Sequence, residues 1–281
     1  MKALFLAILL SVGAIFATQL SASRLFAAQL GNPGAVARLA ALHGVYTNTN
    51  AIVIASQVSF GNTSNFTHYA TPSFTPPSNS LLILTVVTGD KRTITSVTNS
   101  GANVMTWWKL TNLNYNTIAT ATNDLQVWVT QVPPGTNPPA TQVWAILGVT
   151  AVGACMQVSS FVGAANYTKD WGTNAIVQFQ GNVSNATANG NVTLPAAPGN
   201  QNSNTVFMVY GDDVNSASDA AAGSGMTELT EVSYNTQAAG LQTQYRLMTP
   251  SSVTVFTNIT TSRDWAAVAI EIKAGTNIVV F

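Results

Sequence analysis

Two histidines, one cysteine and ten carboxylates are the residues of this 281-residue chain with the means for acid–base, nucleophilic or metal chemistry. Their spacing is unpromising. His43 and His68 stand alone, with no second histidine or cysteine at ligand spacing, so zinc and copper sites are not expected. Asp212 and Asp213, at the end of a strand, and Asp219 in the following loop could offer oxygen ligands to calcium, but the spacing fits no calcium loop and a solvated loop is expected. Glu228 and Glu231 are three residues apart in a strand-like run, which predicts opposite faces and excludes paired acid–base work. Cys155 lies in the apolar run Gly153–Phe161 and reads as a small buried hydrophobe. Gly223-Ser224-Gly225 is turn chemistry rather than a nucleophile elbow, and no glycine-rich phosphate loop precedes a helix. The expectation is a protein that is not an enzyme and uses no cofactor or metal.

Binding chemistry is better represented. Six tryptophans could stack on sugar rings. Trp171, in the loop-like segment Lys169-Asp170-Trp171-Gly172, is the sugar-stacking candidate, and core positions are expected for Trp107, Trp108, Trp128, Trp144 and Trp265. Glycosylation sequons occur at Asn62, Asn65, Asn166, Asn182, Asn185, Asn191 and Asn258. Roughly five would arise by chance in a chain this rich in Asn, Ser and Thr, so their number carries little; the cluster Asn182–Asn191 is expected to mark an exposed loop.

These side chains must be positioned by strands. Ile94 to Leu110 reads as strand, tight turn at Asn99-Ser100-Gly101, and strand, with Trp107 and Trp108 on opposite faces. From Ala51 onward, candidate strands follow one another: 51–60, 81–87, 93–98, 104–110, 125–132, 141–149, 154–161, 175–180, 205–210, 227–234, 242–248, 253–259 and 265–272. Leu81-Leu82-Ile83-Leu84 is apolar on both faces and suits a central strand. Leu125, Val127 and Val129 alternate with Gln126 and Thr130, and Val268, Ile270 and Ile272 with Glu271 and Lys273, which predicts half-buried strands. No internal repeat stands out at solenoid spacing. Residues 1–23, Met1-Lys2 followed by an apolar block, read as a secretory signal or, if uncleaved, as a hydrophobic helix for a membrane or an assembly. Residues 24–50 read as a helix-prone linker, and residues 51–281 as an all-β domain, an antiparallel sandwich.

Charge limits the partners. Lys, Arg, Asp and Glu make up only 7% of the chain, and ten basic residues balance ten acidic ones. No basic face is available for nucleic acid. Membrane contact is expected only through the N-terminal segment. A polar but nearly chargeless coat lets copies of the chain meet without burying unpaired ions.

Several segments together resemble a known module: SFTPP at 73–77, SNSLLIL at 78–84, TSVTNSG at 95–101 with a tryptophan strand after it, LQVWVTQVPPG at 125–135, YRL at 245–247 and WAAVAIEIK at 265–273. They are similar to a jelly-roll β-sandwich module of bacterial secreted proteins and of phage virion and tail proteins. The resemblance spans about residues 55–275 and departs at Ala102-Asn103-Val104, where a second glycine is commoner, and at the paired tryptophans. It implies a jelly-roll-like fold and no catalytic residues. The resulting expectation is a non-catalytic structural subunit of an extracellular surface layer, filament or virion, whose partners are copies of itself. The alternative is a secreted carbohydrate-binding or adhesion module that takes surface glycans. For the first, one terminal segment, Arg24–Asn50 or Thr276–Phe281, is expected to make contacts outside its own sandwich; the alternative is that each completes an edge of its own domain.

Overall fold

The computed structural model describes residues 45–49, 51–101, 104–115, 123–136, 138–165, 175–187, 189–197, 204–214, 220–234, 238–247, 253–259 and 262–280. The hydrophobic helix and the linker expected before residue 45, together with His43, lie outside them. The described chain is all-β, with sixteen strands: β1 Val45–Thr49, β2 Val53–Ala70, β3 Ser80–Thr88, β4 Ile94–Asn99, β5 Trp108–Tyr115, β6 Asn123–Val132, β7 Val143–Val162, β8 Ile176–Thr187, β9 Gly190–Thr193, β10 Thr205–Asp212, β11 Ala220–Ala222, β12 Thr227–Tyr234, β13 Ala239–Leu247, β14 Thr254–Ile259, β15 Arg263–Ile272 and β16 Thr276–Val280. Two expected strands, 141–149 and 154–161, are one bent strand, β7. The bend falls at Gly153, whose φ of +81° excludes ordinary side chains. The turn at Gly101 has φ +97°, as its composition predicts, but its flanking strands do not pair: β4 lies on β7, and β5 lies on β6.

The chain divides its strands by halves. β2 to β7 form one sheet in the order β2-β7-β3-β6-β5, with β4 beside β7. β8 to β15 form a five-stranded sheet, β12-β13-β10-β15-β8, and a three-stranded sheet, β11-β14-β9. Inward side chains of the two larger sheets share one core, including Leu81, Ile83, Val127, Cys155, Phe161, Phe207, Val209, Leu241, Val268 and Ile270. A second core, with Leu82, Leu84, Trp107, Trp128 and Val158, covers the outer face of the first sheet. A third, with Val206, Met208, Tyr210, Trp265 and Ala267, lies between the second sheet and the three-stranded one. The central strands of each large sheet, such as β3, β10 and β15, are therefore covered on both faces. The strands expected to be half-buried are not: Gln126, Thr130 and Glu271 are as buried as the apolar residues they alternate with. Hydrogen bonds compensate their burial, as at Glu271, which accepts from Gln178 Nε2 (2.7 Å) and Asn204 Nδ2 (2.6 Å).

The two halves repeat the same topology. Reading from the first strand of each, the orders β2-β7-β3-β6-β5 and β8-β15-β10-β13-β12 match place for place. The outer layers match as well: β4 and the end of β2 flank the first part of β7, as β11 and β9 flank β14. Sequence signs accompany this. Gly-Asn-x-Ser-Asn-x-Thr occurs at 61–67 and 181–187, and Leu-Thr-x-(Leu/Val)-x-Tyr-Asn-Thr at 110–117 and 229–236. The pairing of β5 with β6 slips between Lys109 and Thr111, and that of β12 with β13 slips at the corresponding place, between Glu228 and Thr230. Packing is reciprocal too. A Cβ on Gly61 would stand 3.1 Å from Val232 Cγ2, and one on Gly181 would stand 2.8 Å from Leu113 Cδ1, Leu113 and Val232 being equivalent residues of the second motif. The first motif places its glycine where an edge strand crosses the other sheet, and only glycine admits that approach.

β16 pairs with β1 in a two-stranded sheet. The described residues 45–48 and 277–280 belong to a unit separate from that of residues 49–276. The C-terminal segment thus has a strand partner from its own chain.

Candidate functional site

Exposed aromatic residues are the most distinctive chemistry on the described surface. On β2 and β7, Ala70 pairs with Trp144 and His68 with Ile146, after a slip in register between Phe66 and His68. His68 stacks on Trp144 with ring centroids 5.6 Å apart and planes at 16°, and Phe66 follows at 6.5 Å and 30°. His68 is exposed, as are Phe66 at 45% and Trp144 at 37%. Tyr69 anchors the strip from below. Its hydroxyl lies 2.8 Å from the Ser64 carbonyl and 2.9 Å from that of Ala151, and accepts from the Gly153 N–H at 3.0 Å. The adjoining cleft is lined by Phe60, Asn62, Phe66, His68, Tyr69 and Ala70. An apolar strip flanked by amides can contact the C–H face of a sugar and hydrogen-bond its hydroxyls.

A second apolar patch lies where the edge strands β5 and β8 of the two sheets approach each other. Trp108 (50% exposed), Leu110, Ile176, Val177, Gln178 and Phe179 (38%) line an open cleft of about 420 Å³. Core positions expected for Trp108 and Trp144 are thus corrected. Trp108 lies on an edge strand and Trp144 on an outer-layer segment, where a ring is covered on one side only; Trp107, Trp128 and Trp265 are buried. Trp171 and Asn166 lie outside the described residues.

The carboxylates depart from expectation. Asp212 ends a strand, β10, as expected, but it is buried rather than solvated, with Oδ2 2.7 Å from Arg263 Nη1. Burial pushes its carboxyl upward, against the pull of Arg263. Asp213 is raised by burial and then by the charge of Asp264. Asp219 lies outside the described residues, and among those described no three His, Cys, Asp or Glu gather to hold a metal. Glu228 and Glu231 share a face after all. The slip at Leu229 sets them opposite Gln244 and Gln242, two residues apart on β13, and Gln242 Nε2 donates to Glu228 Oε2 at 3.2 Å. Asp124 is buried on β6, and burial pushes its carboxyl up to about 6 despite hydrogen bonds led by that of Gln126 Nε2 (2.7 Å). Cys155 is fully buried, which pushes its thiol up well above the usual range.

The sequon asparagines among the described residues lie on strands. Asn62 and Asn65 are on β2, Asn62 Oδ1 accepting from the Ser64 N–H at 2.7 Å. Asn182 and Asn185 are on β8, Asn191 on β9 and Asn258 on β14. The expected exposed loop Asn182–Asn191 is instead two strands, β8 and β9, and Asn182 Nδ2 bonds the Asn191 carbonyl at 2.8 Å. Asn65, Asn182, Asn191 and Asn258 are exposed, Asn62 is half-buried, and the side chain of Asn185 lies outside the described residues. Four of these positions belong to the two Gly-Asn-x-Ser-Asn-x-Thr segments, where a role in shaping the edge strand accounts for Asn62. Comparison with protein-family models, with curated proteins and with solved structures finds no match.

Proposed function

We propose that this protein is a non-catalytic structural subunit, secreted and assembled with copies of itself into an extracellular layer, filament or virion. The observation that carries this reading is the charge of the surface. Of the fourteen charged residues among those described, Asp124, Asp212, Arg263, Asp264 and Glu271 are buried, so the described surface is even poorer in charge than the composition suggests. Such a surface packs against itself with little desolvation cost. The apolar leader supports secretion. The likeness to jelly-roll modules belongs to this proposal, which must accommodate the separation of the two halves into different sheets. Electron microscopy of native material, with its N-terminus sequenced, tests the reading. Ordered polymers or shells of a chain lacking its leader are expected; a dispersed monomer at high concentration overturns it.

A second reading, a carbohydrate-binding or adhesion module, is favoured by the strip Phe66–His68–Trp144, which offers a stacking surface in addition to the candidate Trp171. Glycan-array binding that falls at least tenfold in Trp144→Ala, with the thermal midpoint kept, supports it; no binding by the wild type overturns it.

A further inference from the structure

The four edges of the two large sheets differ in how well they resist pairing with another chain. β5 carries Lys109, whose Nζ sits 5.5 Å from the centre of the Trp128 ring, and a slipped register. β12 carries Glu228 and Glu231 and the matching slip. β2 has no Asp, Glu, Lys or Arg, but its pairing slips three times, at Ser56/Val58, Asn62/Asn65 and Phe66/His68. Charges and bulges of these kinds protect an edge. β8 has neither protection along its middle. IVQFQGNVSNAT contains no charge and no proline, and Gln178 to Ser184 pairs with β15 without a slip. Val177, Phe179 and Val183 are 47%, 38% and 44% exposed along it.

We propose that β8 is a docking edge for β8 of a second copy, paired antiparallel about a two-fold axis at Gly181. The inference rests on the self-assembly reading and names its contact surface. Charge selects the occupant. An uncharged edge paired with β5 or β12 would bring Lys109 or the two glutamates into the seam, whereas β8 meets itself with no ion to bury. The register is self-complementary. A two-fold at Gly181 sets Phe179 opposite Val183 twice, Gln180 opposite Asn182 twice, and Gln178 opposite Ser184 twice, so apolar meets apolar and polar meets polar on the two faces of the pleat. Such an isologous contact closes at two copies, joining two five-stranded sheets edge to edge. β2 could not replace it over the same length, because its regular pairing is interrupted on both sides of Val58 to Asn62.

The test uses the full chain in sedimentation velocity and mass photometry. Val183→Lys and, separately, Gln180→Lys place two like charges in each seam, one on either face of the strand; both positions are exposed and leave the cores intact. The wild type is expected to contain the two-copy unit, alone or within larger assemblies, and each variant to weaken its association at least tenfold, with circular dichroism unchanged. Mixing Gln180→Cys with Asn182→Cys protein is expected to give a disulfide-linked pair under oxidation that neither variant gives alone. If the wild type assembles and both lysine variants assemble equally well, the β8 contact is wrong while the structural reading stands. If the linked pair fails to form in the assembled mixture, the register at Gly181 is wrong. A wild type that stays monomeric at high concentration overturns both.

Discussion

In the first half of the chain, the large sheet and its outer layer are made from the same strands. β7 and β2, of 20 and 18 residues, run through both and bend between them. In the second half the equivalent strands are broken: β14 and β15 stand for β7, and β8 and β9 for β2. The joints are held differently. At the bend of β7, Tyr69 clamps the Ala151 carbonyl and the Gly153 N–H through neutral hydrogen bonds. At the break before β15, Arg263 forms a buried ion pair with Asp212. One topology thus tolerates two solutions. A continuous strand keeps its backbone pairing through the bend and needs only a glycine and a hydroxyl. A broken strand loses that continuity, and a charge pair at its start ties it to the neighbouring β10.

Four tests break or sharpen this comparison. The largest effect is expected at the broken joint. Arg263→Met leaves Asp212 buried without its partner and should cost about 3–5 kcal/mol in chemical denaturation, against the smaller loss of a double variant, Asp212→Asn with Arg263→Met. A single-variant loss below about 1 kcal/mol would refute the role given to the pair. Next is the buried carboxyl of the first half. The folded value of Asp124, about 6, lies above the unfolded one near 3.9, so the folded state holds the proton more tightly between them. Its contribution is fully present below pH ~4 and is lost as pH rises through ~6. Asp124→Asn should therefore raise stability at pH 7 by about 2 kcal/mol relative to wild type and flatten the dependence between pH 4 and 6; an unchanged slope would count against it.

The reciprocal glycines come third. A Cβ at position 61 would also meet the backbone oxygen of Ser233 at 2.5 Å, which cannot step aside, whereas at position 181 it meets the end of the Leu113 side chain. Gly61→Ala should cost about 2 kcal/mol and Gly181→Ala about 1. Equal losses in thermal unfolding would show that the two crossings yield alike. The smallest change is at the bent joint: Tyr69→Phe removes one hydroxyl and should cost about 1 kcal/mol. A loss matching that of Arg263→Met would erase the distinction between the joints.

Much of the strand content was legible because β-branched and aromatic runs separated by Pro, Gly and Asn mark strands wherever they lie. Faces were less legible. Alternation around Gln126 and Glu271 signalled one wet face, yet a further layer covers it, and polar side chains enter a core when the opposite layer supplies hydrogen bonds. Parity failed at Glu228 and Glu231 because one bulged residue reverses every side chain beyond it. The aromatic strip was missed because His68 and Trp144 are distant in sequence and meet through the β2–β7 register alone. The repeat of the two halves did leave a signal, in the paired motifs at 61–67 and 181–187, but at a period far longer than that of a solenoid.

By itself the sequence determined the all-β character from residue 51 onward, the lack of charge, and the positions of most strands, since these follow from local composition and from side-chain shape along an extended backbone. The tertiary structure alone decided which strands share a sheet, which alternating faces stay dry, and which edges are left open. Those outcomes depend on contacts between residues far apart in the chain, as when Gly61 meets Val232 and Gly181 meets Leu113, and no local pattern encodes the partner on the other side.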